Sequence, residues 1–273
     1  MLGSKAEQDG FGLKYVPSSP STNQWALDFS SNLTPAAQRE LVGQAGIWFV
    51  TDEQTKGRGR RGRVWKSYKG NLSASVLVVL PARVEGAQIL SFVAAIALAE
   101  ALKKLLDENS GNIKLKWPND VLLSGQKLAG ILLEAQFLSG GLSDGSSDGS
   151  SGGERAIAIG MGVNVKQSPS EMPYPVTAIA KYDGSISSQL LFEVLSDSWA
   201  EAFSVWDYGL GRAKVLSRWL ELAFGIGKAV SVEQSGKTIS GIFDDIDNDG
   251  CMLVTQTNGQ KLTITAGDVQ IDA

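Results

Sequence analysis

Thr51-Asp-Glu-Gln-Thr-Lys-Gly-Arg-Gly-Arg-Arg-Gly-Arg-Val-Trp65 follows the short apolar run Ile47-Trp48-Phe49-Val50. Arg58, Arg60, Arg61 and Arg63 are interleaved there with Gly57, Gly59 and Gly62. Neighbouring guanidinium groups repel, so a folded chain keeps such a cluster where anions neutralise it or water screens it. Glycines between them let the loop close and let backbone N–H groups turn toward a ligand. A strand feeding such a loop reads as a clamp for phosphate groups; the residue types alone also leave a solvated basic turn open. The same letters satisfy G-x-G-x-x-G, but that fingerprint needs small side chains and a helix opening at the loop. Here arginines fill the variable slots, and a Gly70-Asn71 turn leads into the Val/Leu-rich strand Leu72–Leu80. The dinucleotide reading fails, and the G-x-x-x-x-G-K-[ST] P-loop is absent as well.

Composition narrows the field further. A chain of 273 residues holds one large domain, or a large and a small one, with ample apolar residues for a core. The net charge of −4 makes the arginine cluster a local feature of an acidic protein, which argues against a general nucleic-acid binder. One cysteine, Cys251, excludes an internal disulfide framework and suits a reducing compartment. No secretion signal and no bilayer-length apolar run is visible, so a soluble cytoplasmic protein without a membrane partner is expected. There is no histidine, which removes His-dependent triads, His metal sites and the usual neutral-pH base.

Taken in order, residues 1–14 read as a frayed polar start, with a first strand near Lys14–Val16 and a turn over Pro17–Pro20. Ser21-Thr22-Asn23-Gln24 before Trp25-Ala-Leu-Asp-Phe29 is a helix N-cap signal, though short polar groups at a helix start also grip a polar ligand head. Thr34-Pro35 opens a second short helix. Ile47–Val50 and Leu72–Leu80 are strands, and 87–106 is a long buried helix. Ile113–Trp117 is a strand stopped by Pro118, and 121–135 is a hairpin turning at Ser124-Gly125. The Ser/Gly/Asp stretch 139–153 reads as a floppy connection; it lacks EF-hand spacing. A strand over 155–165 and helices over 187–206 and 211–223 follow. From Gly225 onward, short strands near 230–232, 237–243, 251–257 and 261–265 are separated by Gln234-Ser-Gly236, Asp247-Asn-Asp-Gly250 and Asn258-Gly259, the texture of a small all-β barrel.

Three further sets carry possible chemistry. Lys116-Trp117-Pro118-Asn119-Asp120 puts an amide and a carboxylate at a strand end, fit for a hydroxyl, an amine, a hydrated Mg²⁺ or simply a turn. In Lys127-Leu-Ala-Gly-Ile-Leu-Leu-Glu134, regular alternation places Lys127 on one face with Ala129, Ile131 and Leu133. That lysine is either an edge guard or a fixed charge for a phosphate or carboxylate, with Gly130 allowing close approach. Gly160-Met-Gly-Val-Asn164 interrupts a strand with glycines, and Asn164 is fit to read an adenine or ribose edge. Each set alone is weak; their order and spacing together are not.

The combination resembles the biotin protein ligases over most of residues 15–270. Ser21-Thr22-Asn23 looks like the family's biotin-binding element, and Gln54 with Gly57–Gly62 looks like its glycine-arginine loop. The Lys116–Asp120, Lys127–Leu132 and Gly160–Asn164 sets match in type, order and spacing. The resemblance implies an α+β fold: a mixed sheet flanked by helices, related to class II aminoacyl-tRNA synthetase cores, with a small C-terminal SH3-like β-barrel. The expected domains are 1–224, catalytic, and 225–273, the barrel. With motifs beginning at Ser21 there is no room for the DNA-reading domain some members carry, so a ligase-only chain without a nucleic-acid partner is expected.

The implied reaction joins biotin to one lysine of a biotin carboxyl carrier domain through biotinyl-5′-AMP, with ATP and Mg²⁺ and, as assembly, a monomer or homodimer. By the same resemblance Lys127, Arg58 and Arg60 are catalytic. Ser21, Thr22, Asn23, Gln54, Arg58, Gly59, Arg60, Lys127 and Gly130 bind biotin. Arg58, Arg60, Trp65, Asn119, Asp120, Lys127 and Asn164 serve ATP; Mg²⁺ comes with the nucleotide, near Asp120, without a protein-only metal site. The rival within the superfamily is a lipoate or octanoate ligase or transferase; the arginine loop favours the biotin branch, and the transferases need a cysteine in the core. A nucleic-acid-binding regulator built on the basic loop is the rival from another class, disfavoured by the acidic net charge.

Overall fold

The structure, a computed structural model, describes residues 1–107, 112–138, 153–234 and 237–271. The expected floppy connection at 139–153 lies outside the described residues except for Gly153, as do Ser235 and Gly236 of an expected turn.

A seven-stranded mixed sheet organises the larger part of the chain. Its strands are β1 (Gly12–Ser19), β2 (Ile47–Gln54), β3 (Leu72–Pro81), β4 (Ile113–Lys116), β5 (Asp120–Leu123), β6 (Gln126–Phe137) and β7 (Glu154–Val163). They lie in the order β1-β2-β3-β7-β6-β5-β4, with β1 and β2 parallel and every other pair antiparallel. β1 runs straight through Pro17, where a turn was expected. It is an edge strand, so the missing proline N–H removes no ladder bond.

β3 is buried on both faces, and its period of two divides its side chains between two cores. Val76, Val78 and Leu80 enter the larger core; Leu77 and Val79 enter a smaller one under α2 (Thr22–Ser31). A short helix, α3 (Pro35–Glu40), follows, with Thr34 accepting from Ala37 N as its cap. The larger core is covered by α4 (Leu90–Leu105), α5 (Ser188–Trp206) and α6 (Arg212–Leu222). Trp48 of β2 meets Phe192 and Trp199 of α5 edge-on, at 5.3 and 6.0 Å between ring centres.

The N-terminus is not frayed. α1 (Ser4–Gln8) docks on α5, where Gly3 N donates to Ser196 Oγ (2.8 Å) and Ala6 N to Asp197 Oδ1 (2.9 Å). These partners are distant in sequence, so the local polarity of the segment carried no sign of them.

Beyond α6 the chain forms a five-stranded antiparallel sheet. Its strands are β8 (Ala229–Gln234), β9 (Lys237–Ile246), β10 (Met252–Thr255), β11 (Lys261–Ile264) and β12 (Asp268–Ile271), in the order β11-β10-β9-β8-β12. The ends of this order, β11 and β12, do not pair with each other among the described residues, so no closing ladder is formed. β12 was absent from the sequence reading. The sheet meets the larger part through Trp117, whose Nε1 donates to Gly250 O (2.9 Å); ahead of the sheet, Phe224 N donates to Leu115 O of β4 (2.8 Å). Among the described residues no helix is long and apolar enough to cross a membrane.

Candidate active site

A cleft of about 940 Å³ opens where α2, the arginine loop, the β4–β6 corner and β12 come together. Ser21 caps α2 by accepting from Gln24 N (3.4 Å), as its position predicts. Thr22 and Asn23 are buried beneath it. Gln54 Oε1 accepts from Thr22 N (2.9 Å) and from Thr22 Oγ1 (3.2 Å). Asn23 Nδ2 donates to Leu132 O (3.0 Å) and to Glu134 Oε2 (2.9 Å), while Ser75 Oγ lies 2.7 Å from Asn23 Oδ1. The network fixes the helix start against the sheet, and Ser21, Thr22, Asn23 and Gln54 all line the cleft. Gly160 belongs to this network, because a Cβ there would lie 2.5 Å from Asn23 Oδ1.

The arginine loop is a closed hairpin. Trp65 N donates to Gly57 O (3.0 Å) and Gly59 N to Arg63 O (2.7 Å). A side chain at Gly57 would place its Cβ 2.4 Å from Trp65 O, so glycine is required there. Arg58 pairs with Glu134 (3.0 Å) and reaches Gln24 Oε1 (3.2 Å). Arg60 Nη1 donates to Asn119 Oδ1 at 3.4 Å. Burial, and then the nearby Arg61 charge, push the Arg60 pKa down against the pull of Asp120 and Asp268. Trp65 lies across Gly130 and Gly162: a Cβ at Gly162 would come within 2.5 Å of its ring, and one at Gly130 within 3.3 Å. The glycines in those strands do mark a close approach, and the group that approaches is Trp65.

Lys127 sits at the base of the cleft. Its Nζ is 2.7 Å from Asp120 Oδ1 and 5.4 Å from the centre of the Tyr174 ring. Its backbone is held by the segment beside it, with Lys127 N donating to Pro175 O (2.9 Å) and Thr177 N to Lys127 O (3.0 Å). The expectation that Lys127 shares a face with Ala129, Ile131 and Leu133 is corrected. Leu122 pairs with Lys127 but Val121 with Ala129, so Leu128 is an extra residue in a bulge and the alternation inverts. Lys127 therefore shares the cleft side with Gly130, whose Cβ would lie 3.8 Å from Lys127 Cε. Asn119 is bolted to β6, giving Nδ2 to Ile131 O (2.7 Å) and taking Ile131 N on its own carbonyl (2.9 Å). Lys116, also in the cleft, has its pKa lowered, chiefly by burial and also by Lys127, against the pull of Asp120 and Asp268.

Of the residues singled out from the sequence, Ser21, Thr22, Asn23, Gln54, Arg58, Gly59, Arg60, Trp65, Asn119, Asp120, Lys127 and Gly130 line this one cleft. Asn164 does not. It is buried, its Nδ2 donates to Thr177 O (3.1 Å) and its backbone N–H to Leu128 O (3.0 Å), so it braces the bulge and strap behind Lys127. The sequence reading gave no role to Lys116 or Glu134, although both stand inside the quoted motifs, nor to Tyr174 or Asp268. Tyr174 lies in a Pro-rich stretch that carries no chemical pattern.

The comparisons with known proteins fit this geometry. Residues 19–146 match the model of the biotin/lipoate A/B protein ligase family, and residues 225–272 that of the biotin protein ligase C terminal domain. A biotin–[acetyl-CoA-carboxylase] ligase of Paracoccus denitrificans is 33% identical over 91% of this chain and 96% of that protein. The chain belongs to the biotin protein ligase family. A bifunctional ligase/repressor of Bacillus subtilis is 28% identical over 99% of this chain and 77% of its own. The fold is shared with a biotin protein ligase from Aquifex aeolicus solved in complex with biotin and ATP, at a TM-score of 0.69 and 23% identity, covering 96% of this chain and 98% of that one. The match to the C-terminal family model falls on β8–β12, the open sheet described above.

Proposed function

We propose that this chain attaches biotin to a lysine of a biotin carboxyl carrier domain in two steps, the first of which consumes ATP. The observation that carries this reading is the meeting, in one cleft, of the Lys127–Asp120 pair, the arginine loop and the polar start of α2. In the first step a biotin carboxylate oxygen attacks the α-phosphorus of ATP. The bond to the β-phosphate bridge breaks, pyrophosphate leaves with its electron pair, and biotinyl-5′-AMP forms. In the second step the ε-amine of the carrier lysine attacks the acyl carbon. The acyl–oxygen bond breaks, AMP leaves with its electron pair, and the proton of the attacking amine passes to solvent. Neither step needs a protein nucleophile or a histidine. Positioning and charge neutralisation do the work.

Lys127 supplies the cation that first holds the two anionic reactants together and then the leaving phosphate. Arg58 and Arg60, from the loop above, neutralise phosphate; breaking the Arg58–Glu134 and Arg60–Asn119 contacts frees them for it. Ser21, Thr22, Asn23, Gln54, Gly59 and Gly130 form the biotin side, and Trp65, Asn119 and Asp120 the nucleotide side. Asp120, once Lys127 turns to the phosphate, is the carboxylate available to orient the incoming amine. Mg²⁺, brought by the triphosphate with Asp120 beside it, would neutralise phosphate charge. The catalytic domain ends at about residue 224, the compartment is the cytoplasm, and the acceptor belongs to a biotin-dependent carboxylase. The biotin branch is favoured over lipoate by the arginine loop and the matched C-terminal domain. The test is transfer of labelled biotin to a purified carrier domain: label should appear with ATP and vanish when the acceptor lysine is changed to arginine. A carrier left unlabelled under every condition would defeat the reading.

A further inference from the structure

The arginine loop divides its charges between two parts of the molecule. Arg58 and Arg60 engage Glu134 and Asn119 in the cleft, whereas Arg61 and Arg63 converge on one carboxylate of the C-terminal sheet. Arg61 Nη1 lies 3.0 Å from Asp268 Oδ2, and Arg63 Nη2 bonds the same oxygen. Asp268 opens β12, which is fixed to the sheet by pairing with β8. The backbone at Arg61 and Gly62 makes the link specific. Arg61 stands at φ 56°, in the left-handed region where a residue with a side chain is disfavoured, and Gly62 follows at φ 72°. Glycine would be the unstrained choice at Arg61. The arginine gains the ion pair that glycine could not make.

A lone exposed ion pair contributes little. Here one carboxylate bridges both sides of the loop tip and ties it to a different sheet, so two arginines are fixed by one anchor. The same carboxylate acts on the cleft: burial is the main influence lowering the pKa values of Arg60 and Lys116, and Asp268 pulls both back up.

We propose that Asp268 is a positioning residue for the reaction: by tethering Arg61 and Arg63 to β12 it holds the arginine loop over the cleft and slows escape of the acyl-adenylate. This rests on the ligase reading above, and the experiment separates the two. The full chain is loaded with biotin and labelled ATP, and adenylate release is followed after rapid dilution for wild type, Asp268→Ala, Arg63→Ala, the double variant and Asp268→Glu. Asp268→Ala should release adenylate about tenfold faster, equivalent to about 1.4 kcal/mol. Asp268→Glu should restore most of the retention. The double variant should release no faster than Asp268→Ala, because that change alone already removes the pair that Arg63→Ala breaks. A merely structural role would move the melting temperature without that non-additivity. Should Asp268→Ala fail to fold, Arg61→Gln/Arg63→Gln reads the same link from the loop side. Unchanged release in all these variants, or additive effects in the double, overturns the latch. A wild type that forms no adenylate overturns the ligase reading instead, and the latch with it.

Discussion

Replacing Lys127 by alanine separates chemistry from folding in this molecule. The backbone bonds at Lys127, to Pro175 O and from Thr177 N, survive in the alanine variant. What is lost is the Nζ, 2.7 Å from Asp120 Oδ1, in a pair whose side chains are 19% and 21% exposed. A pair of that exposure lies between surface and buried cases, and Lys116 still faces Asp120, so the stability cost is about 1–2 kcal/mol. For a chain of this size that is a fall of roughly 2–8 °C in melting temperature. Removing a preorganised cation from developing phosphate charge costs far more in rate, about 10²–10³-fold or roughly 2.7–4 kcal/mol. Single-turnover formation of labelled adenylate by rapid quench, beside thermal unfolding of the same preparation, reads both quantities. Adenylate formation within about threefold of wild type, in a folded variant, would refute the role given to Lys127.

Other consequences are equally open to measurement. Arg60→Gly removes a cleft-facing cation and its contact with Asn119, so reactive adenylate should leak and label bystander lysines; unchanged labelling of albumin counts against the clamp. Gly162→Ala places a methyl 2.5 Å from the Trp65 ring, so Trp65 must swing from the shelf. Tryptophan fluorescence should shift and ATP affinity fall by about tenfold or more, about 1.4 kcal/mol; an unchanged KM for ATP argues that Trp65 does not touch the nucleotide. The fold depresses the Lys116 pKa below the ordinary 10.5, mainly by burial, so its charged form weighs against the native state at neutral pH. That penalty fades as pH rises through the lowered value toward 10.5 and the unfolded chain loses its proton too. Lys116→Gln should therefore melt higher than wild type near pH 8, by a margin that narrows toward pH 10.5; a margin independent of pH contradicts the assignment.

What the sequence disclosed and what it hid follow from the range of the interactions involved. Caps and periodicities are local, so α2 with Ser21 at its cap, α3 with Thr34, and the strands around the glycine turns were readable residue by residue. The site motifs were readable only together, through their order, their spacing and the resemblance these carry; the arginines among glycines alone left a solvated basic turn open. Their neighbours were not readable. That Trp65 fills the Gly130–Gly162 shelf depends on a loop folding back across two strands. The bulge at Leu128 is a single extra residue, yet it turns Lys127 to the opposite face from the one simple alternation gives. Asn164 was drawn as a ligand contact because its position matched a motif; its burial behind the bulge gives it a bracing role. α1 and Asp268 escaped for one reason: their partners lie on α5 and on the arginine loop, far away in sequence.

The most direct test of the central claim is ligand-dependent exchange of labelled pyrophosphate into ATP by the wild-type chain, with biotin, lipoate and octanoate compared side by side. Exchange with biotin alone is the predicted result, since it reports reversible formation of biotinyl-5′-AMP without any carrier. Exchange with lipoate or octanoate in place of biotin, or no exchange with any of the three, would contradict it.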